Sequence, residues 1–87
     1  MLTEYIRAAM RQAKYEILPE SGTFYGEIPG FQGVWANAET LEACRDESQE
    51  VLEEWMLFRL ISNLSLPVVE GIELIIEEVS DASVRAG

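Results

Sequence analysis

Histidine is absent from the chain, and Cys44 is its single cysteine. These absences exclude the usual four-ligand zinc site, an internal disulfide and any mechanism that needs an imidazole base. A lone thiol inside a helical pattern reads as a small buried hydrophobe, and such usage fits a reducing cytoplasm. Basic residues are scarce too, with 6 Lys and Arg against 16 Asp and Glu and a formal net charge of −10. That surplus repels a phosphate backbone, so direct nucleic-acid binding is not expected. No apolar run approaches the ~18 residues of a membrane-spanning helix. The opening Met-Leu-Thr-Glu-Tyr-Ile-Arg also lacks a basic region followed by an apolar stretch. The expectation is a cytoplasmic chain with no membrane contact, no metal and no cofactor.

What the chain does have is apolar content: 48% against 25% charged residues, the balance of a sequence that folds. At 87 residues it has room for one domain. Folding at this size removes only about two-thirds of the unfolded chain's accessible surface, so a homo-oligomer, dimer or tetramer, is expected to complete the burial.

Apolar spacing predicts the elements. Leu2, Tyr5, Ile6, Ala9, Met10 and Ala13 recur every three or four residues, a short amphipathic helix with Thr3 placed to cap it. Residues 14–18 and 23–28 are aromatic and branched runs separated by Pro19-Glu20-Ser21-Gly22, a hairpin signal. After Pro29-Gly30-Phe31-Gln32-Gly33, residues 34–38 supply a third strand of an antiparallel meander. Alternation puts Ile17, Phe24, Ile28, Val34 and Ala36 on one face, and Tyr25, Glu27 and Trp35 on the other.

The strongest pattern spans residues 40–63. At 100° per residue Leu41, Cys44, Ser48, Val51, Leu52 and Trp55 form one stripe, opposed by Glu42, Asp46, Glu47, Glu50, Glu53 and Glu54. Thr40 is the expected N-cap, with Glu39 and Glu42 at the positive end of the helix dipole. Beyond Trp55, Met56, Leu57, Phe58, Leu60 and Ile61 surround the helix, so that end needs cover from the 65–71 loop or from another subunit. Residues 71–79 read as a final short strand, although Ile72, Ile75, Ile76 and Val79 also fit helical spacing. The fold class is α+β, with one domain over residues 1–79 and a flexible tail over 80–87.

The run Glu27-Ile28-Pro29-Gly30-Phe31-Gln32-Gly33-Val34-Trp35-Ala36 leads into Glu39-Thr40-Leu41-Glu42-Ala43-Cys44. With the Met-Leu-Thr-Glu-Tyr-Ile opening and Val51-Leu52-Glu53-Glu54-Trp55, it resembles the small stand-alone members of the HicB-like antitoxin family. The resemblance extends to about Leu74. It implies a β-β-β-α-β core described as a partial ribonuclease H-like fold, cytoplasmic and oligomeric. It further implies a partner: HicA, a small basic mRNA-cleaving toxin that the antitoxin silences by covering its catalytic surface. Full-length members usually add a carboxy-terminal DNA-binding module, for which too few residues follow the last strand here, so operator binding is not carried over.

Two surface features are candidates for contact. Glu42/Asp46, Asp46/Glu50 and Glu50/Glu54 are like charges four apart, each pair destabilising by about 0.2–0.5 kcal/mol. Such a face is either a solvated surface that keeps the protein soluble or a complement to a basic partner. Tyr25, Phe31 and Trp35 would form an exposed aromatic patch, unless the first helix or a second copy covers it. A ribonuclease H-like nuclease would need several carboxylates converging on paired metal ions. Only Glu16 and Glu27 lie within the three strands, so no enzyme is expected. Arg59 falls on the apolar stripe, where it would snorkel or pair with a carboxylate. The expected partner-binding residues are Tyr25, Glu27, Phe31, Trp35, Glu42, Asp46, Glu50 and Glu53, in a non-catalytic antitoxin-type protein. The alternative is a self-assembling protein that binds a small ligand or a different protein.

Overall fold

The computed structural model describes residues 2–74. Its first element, α1 (Leu2–Arg11), buries Tyr5, Ala8 and Ala9 completely and turns Arg7 and Arg11 outward. Glu4 in its first turn and Arg11 in its last oppose the helix dipole. Three strands follow, β1 (Lys14–Ile17), β2 (Phe24–Glu27) and β3 (Trp35–Ala38), paired antiparallel in the order β1-β2-β3. Tyr15 faces Gly26 and Gly26 faces Ala36 across the sheet. Two small residues in one cross-strand row leave a shallow trough, and the next helix lies in it.

That helix, α2 (Leu41–Ile61), starts where its cap requires: the Thr40 Oγ1 accepts from the Ala43 amide at 3.0 Å. Cys44, Ser48, Leu52 and Met56, four apart, form the buried line. A Cβ on Gly26 would sit 2.7 Å from the Tyr15 ring and 3.2 Å from the Cys44 Sγ, so only glycine permits this approach. Asn63 ends α2 in the left-handed region at φ 61°. There the Leu64 amide reaches the Arg59 carbonyl at 2.8 Å and the Asn63 amide reaches Leu60 at 3.2 Å, the paired bonds of a Schellman motif.

The main core forms where α1, α2 and the loops meet. Phe31 lies between Tyr5 and Trp55, with ring centroids 6.3 and 5.1 Å away, above Leu52, Met56 and Val69. The Tyr5 hydroxyl donates to the Pro67 carbonyl at 2.5 Å and fastens the following loop to α1. Val69 and Ile72 exchange both backbone bonds around Glu70 and Gly71, whose φ values of 50° and 78° are those of a two-residue type I′ turn.

Several expectations change. Phe31 is 3% exposed and belongs to the core, not to an open patch, because the turns at 28–34 fold it under α1. Thr3 lies inside the first turn of α1 and does not cap it. Leu41 is exposed and Trp55 half-buried, since the trough ends before it covers either. Ile17 shares the helix-side face with Phe24 but lies 60% exposed, beyond the reach of α2. Among the described residues Arg59 forms no salt bridge: its guanidinium lies 4.9 Å from the Trp55 ring, and its Nε donates to the Ser65 carbonyl at 2.8 Å. Of the expected final strand, residues 71–74 contribute only the Val69–Ile72 bridge. Residues 75–79, like the 80–87 tail, lie outside the described residues.

Candidate partner-binding surface

With α2 on one side of the sheet, alternation assigns the other side to two cross-strand rows. One is Lys14, Glu27 and Trp35; the next is Glu16, Tyr25 and Asn37. Tyr25 and Trp35, diagonal neighbours, stack at 6.1 Å with 26° between ring planes, and Trp35 remains 55% exposed. The Tyr25 hydroxyl donates to the Glu27 Oε1 at 3.2 Å. Its pKa is pushed up, first by what burial it has, then by that bond and by the charges of Glu27 and Glu16. Asn37 donates to the Phe24 carbonyl at 2.7 Å and to Thr23 Oγ1 at 2.9 Å, pinning the far end of the same face.

The acidic residues Glu42, Asp46, Glu50 and Glu53 are all exposed on the outer side of α2. Gln49 donates to the Glu53 Oε2 at 3.0 Å. Among the described residues no cation forms a salt bridge to any of the four; the one ion pair joins Arg11 to Glu70. Three arginines, Arg7, Arg11 and Arg45, line a cleft of about 570 Å³ between α1 and α2, and Glu53 reaches its edge. Glu42, Asp46 and Glu50 stand outside that cleft.

The eight sequence-predicted contact residues thus fall into three places. Tyr25, Glu27 and Trp35 share the open sheet face, Glu42, Asp46, Glu50 and Glu53 share the outer stripe of α2, and Phe31 is in the core. Sheet face and stripe look in opposite directions across a two-layer structure, so they are two surfaces and not one. Lys14, Glu16 and Asn37 were missed; the strand register alone would have put them beside Tyr25 and Trp35. No group of three or more His, Cys, Asp or Glu suited to a metal ion occurs among the described residues. The Cys44 thiol is buried against the Ala36 carbonyl at 3.7 Å, and burial raises its pKa away from the reactive thiolate.

This helix, three-stranded meander and long helix matches the UPF0150-like family over residues 4–67, most of the described chain. The chain belongs to that family. A solved relative of the UPF0150-like chain is TTHA0281 from Thermus thermophilus, known from its crystal structure. It is 35% identical, with a TM-score of 0.83 over 88% of this chain and 95% of that one. Comparison with curated proteins returned no match. In the UPF0150-like fold described here, no helix among the described residues is long and apolar enough to cross a membrane.

Proposed function

We propose that the chain is a non-catalytic antitoxin of the HicB-like type. It would bind a small, basic, HicA-type mRNA-cleaving toxin and occupy the surface with which that toxin grips RNA. The UPF0150-like family is related to HicB-like antitoxins, which supports the reading at the level of family. The observation that carries it is the outer stripe of α2: Glu42, Asp46, Glu50 and Glu53 stand exposed, at a cost in helix stability, with no salt-bridge partner among the described residues. A surface of basic residues shaped for a phosphate backbone relieves that repulsion and gains steering from it. The Tyr25–Trp35 stack on the opposite face supplies a second contact area, used by a wrapping segment of the toxin or by another subunit. Placement in the cytoplasm follows from this role.

The test is co-expression with a small basic ribonuclease encoded beside this chain. The two proteins should co-purify, growth arrest by the ribonuclease should be relieved, and raising salt should weaken the complex. Glu50→Lys with Glu53→Lys should abolish relief while leaving the fold intact by circular dichroism; Trp35→Ala should weaken it less. Continued arrest with the wild-type chain and no co-purification would refute the antitoxin reading.

A further inference from the structure

The chain has 6 basic residues against 16 acidic ones, yet Arg7, Arg11 and Arg45 line the single cleft between α1 and α2 described above. The start of α1 lies beside the end of α2, since Leu2 and Ile6 share a hollow with Met56, Leu57 and Leu60. The end of α1 therefore lies toward Arg45, and the cleft has two unlike ends. Arg11 and Arg45 stand at one, Thr3 and Glu53 at the other, with Arg7 between them on α1. Gln49 donates to the Glu53 Oε2 at 3.0 Å and fixes that carboxylate in place. Ile6 and Met10, partly buried against the core, supply an apolar floor. Glu70 takes the Nε and Nη2 edge of Arg11, which orients the guanidinium and leaves its Nη1 donors for another acceptor. Among the described residues Arg7 and Arg45 form no salt bridge. Glu4 and Glu42, one turn before them on their helices, do not line the cleft.

We infer that this cleft binds a small phosphate monoester, its phosphate held by Arg7, Arg11 and Arg45 and its polar body reaching toward Glu53. The planar fork of a guanidinium matches a phosphate edge with two parallel hydrogen bonds. Three such cations suit a phosphate monoester, which carries nearly two charges at neutral pH, better than a singly charged carboxylate. A long polyanion is a poor occupant, because the net charge of −10 repels every phosphate that extends past the cleft. A compact anion seated inside it answers to the groups within the ~8 Å reach of exposed charges at physiological salt, and those are the arginines. Glu53 sets the direction. It would repel the phosphate, so the phosphate takes the Arg11 and Arg45 end, and the carboxylate accepts from hydroxyl or amino groups at the other. Ile6 and Met10 then underlie the middle of the ligand, where an apolar or planar body fits. The cleft volume of about 570 Å³ falls within the range of about 300–1,000 Å³ usual for small-molecule sites. A nucleoside monophosphate has these three parts in this order. The cleft shares only Glu53 with the acidic stripe, so the inference does not depend on the antitoxin reading.

Titration of the isotope-labelled full chain with adenosine monophosphate, inorganic phosphate and adenosine, followed by amide NMR shifts, tests it. The monophosphate should bind and move the signals of Arg7, Met10, Arg45 and Gln49; phosphate should bind more weakly and adenosine not at all. Arg7→Gln and Arg45→Gln should each weaken the monophosphate about tenfold or more, the worth of one charge-assisted hydrogen bond, with unchanged circular dichroism. Lys14→Gln, the same loss of charge on the open sheet face, should leave binding as it was. Glu53→Gln should weaken the monophosphate while leaving inorganic phosphate as tight or tighter, because the carboxylate meets only the far end of the ligand. The absence of binding by both phosphate compounds at millimolar concentration overturns the inference, as does binding that Lys14→Gln weakens as much as Arg45→Gln. Inorganic phosphate bound more tightly than the monophosphate also overturns it, leaving an adventitious ion only. So does a preference for single-stranded RNA or an acidic peptide over the monophosphate. Binding that appears only in the Glu77→Gln/Glu78→Gln variant overturns it too, by assigning the arginines to carboxylates of the same chain.

Discussion

Arg11 and Glu70, 59 residues apart, are joined by an ion pair of 2.6 Å that holds the end of α1 to a turn in the left-handed region. Gln12 adds a bond to the other Glu70 oxygen at 3.0 Å. Glu70 stands at φ 50°, where a residue with a side chain is strained, and these bonds offset the strain. The Arg11 hydrogen bond, the largest contributor, draws the Glu70 carboxyl below its ordinary value. A carboxyl depressed on folding stabilises above its unfolded pKa and loses that contribution as pH falls through the folded one. The difference in Tm between wild type and Glu70→Gln should therefore be present at neutral pH and close in acid below the usual carboxylate range. Both groups are solvent-exposed, so the difference at neutral pH is small and shrinks further in high salt.

Gly26→Ala should destabilise by about 1–3 kcal/mol, the usual cost of overpacking. The added methyl meets the Tyr15 ring at 2.7 Å. Denaturant unfolding of Gly26→Ala, Tyr15→Val and the double variant checks the cause. The pair should be non-additive, with Tyr15→Val costing less when Gly26→Ala is already in place, since the smaller side chain vacates the space.

Trp55→Ala should cost about 2–3 kcal/mol, less than the 3–5 of a fully buried Trp. The indole is half-buried, yet it packs on Phe31 at 5.1 Å, donates to the Gln32 carbonyl at 3.1 Å and carries the Arg59 guanidinium. Urea unfolding followed by circular dichroism measures this. A near-neutral result would show that the 28–34 turns are not anchored on α2.

Ser48→Ala should stabilise by about 0.5–1.5 kcal/mol. The Ser48 hydroxyl is buried between α2 and the sheet with no hydrogen-bond partner among the described residues other than the weakly bonding Cys44 thiol, and removing a poorly satisfied polar group recovers its desolvation cost while adding helix propensity. The readout is the thermal midpoint. A lower midpoint would mean that the hydroxyl makes a bond essential to the helix–sheet contact.

Three parts of this fold were legible from residue order alone. The long helix announced itself through the Thr40 cap and the stripe of Cys44, Ser48, Val51 and Leu52, with Met56 joining the buried line only in the structure; the meander did so through its turn residues. Both signals are local, since caps, turns and periodic burial operate within a few residues of themselves. The acidic stripe was legible for the same reason: like charges four apart occupy one side of any helix.

What residue order left open was decided by which layers lie on which. Period-two alternation separates the faces of a strand but does not say that the 28–34 loop folds inward, so Phe31 passed for a surface aromatic until Tyr5 and Trp55 enclosed it. A helical wheel likewise shows carboxylates opposite a core stripe, while only the packing of α2 on the sheet reveals that those carboxylates and the Tyr25–Trp35 stack face opposite ways. Whether Leu57, Phe58 and Ile61 lie covered or open depended on how far the 65–71 loop reaches, and the Schellman turn at Asn63 sends that loop down one flank only. Each of these outcomes rests on contacts between segments distant in the chain, and apolar contact is non-directional: composition demands burial without naming the partner that provides it.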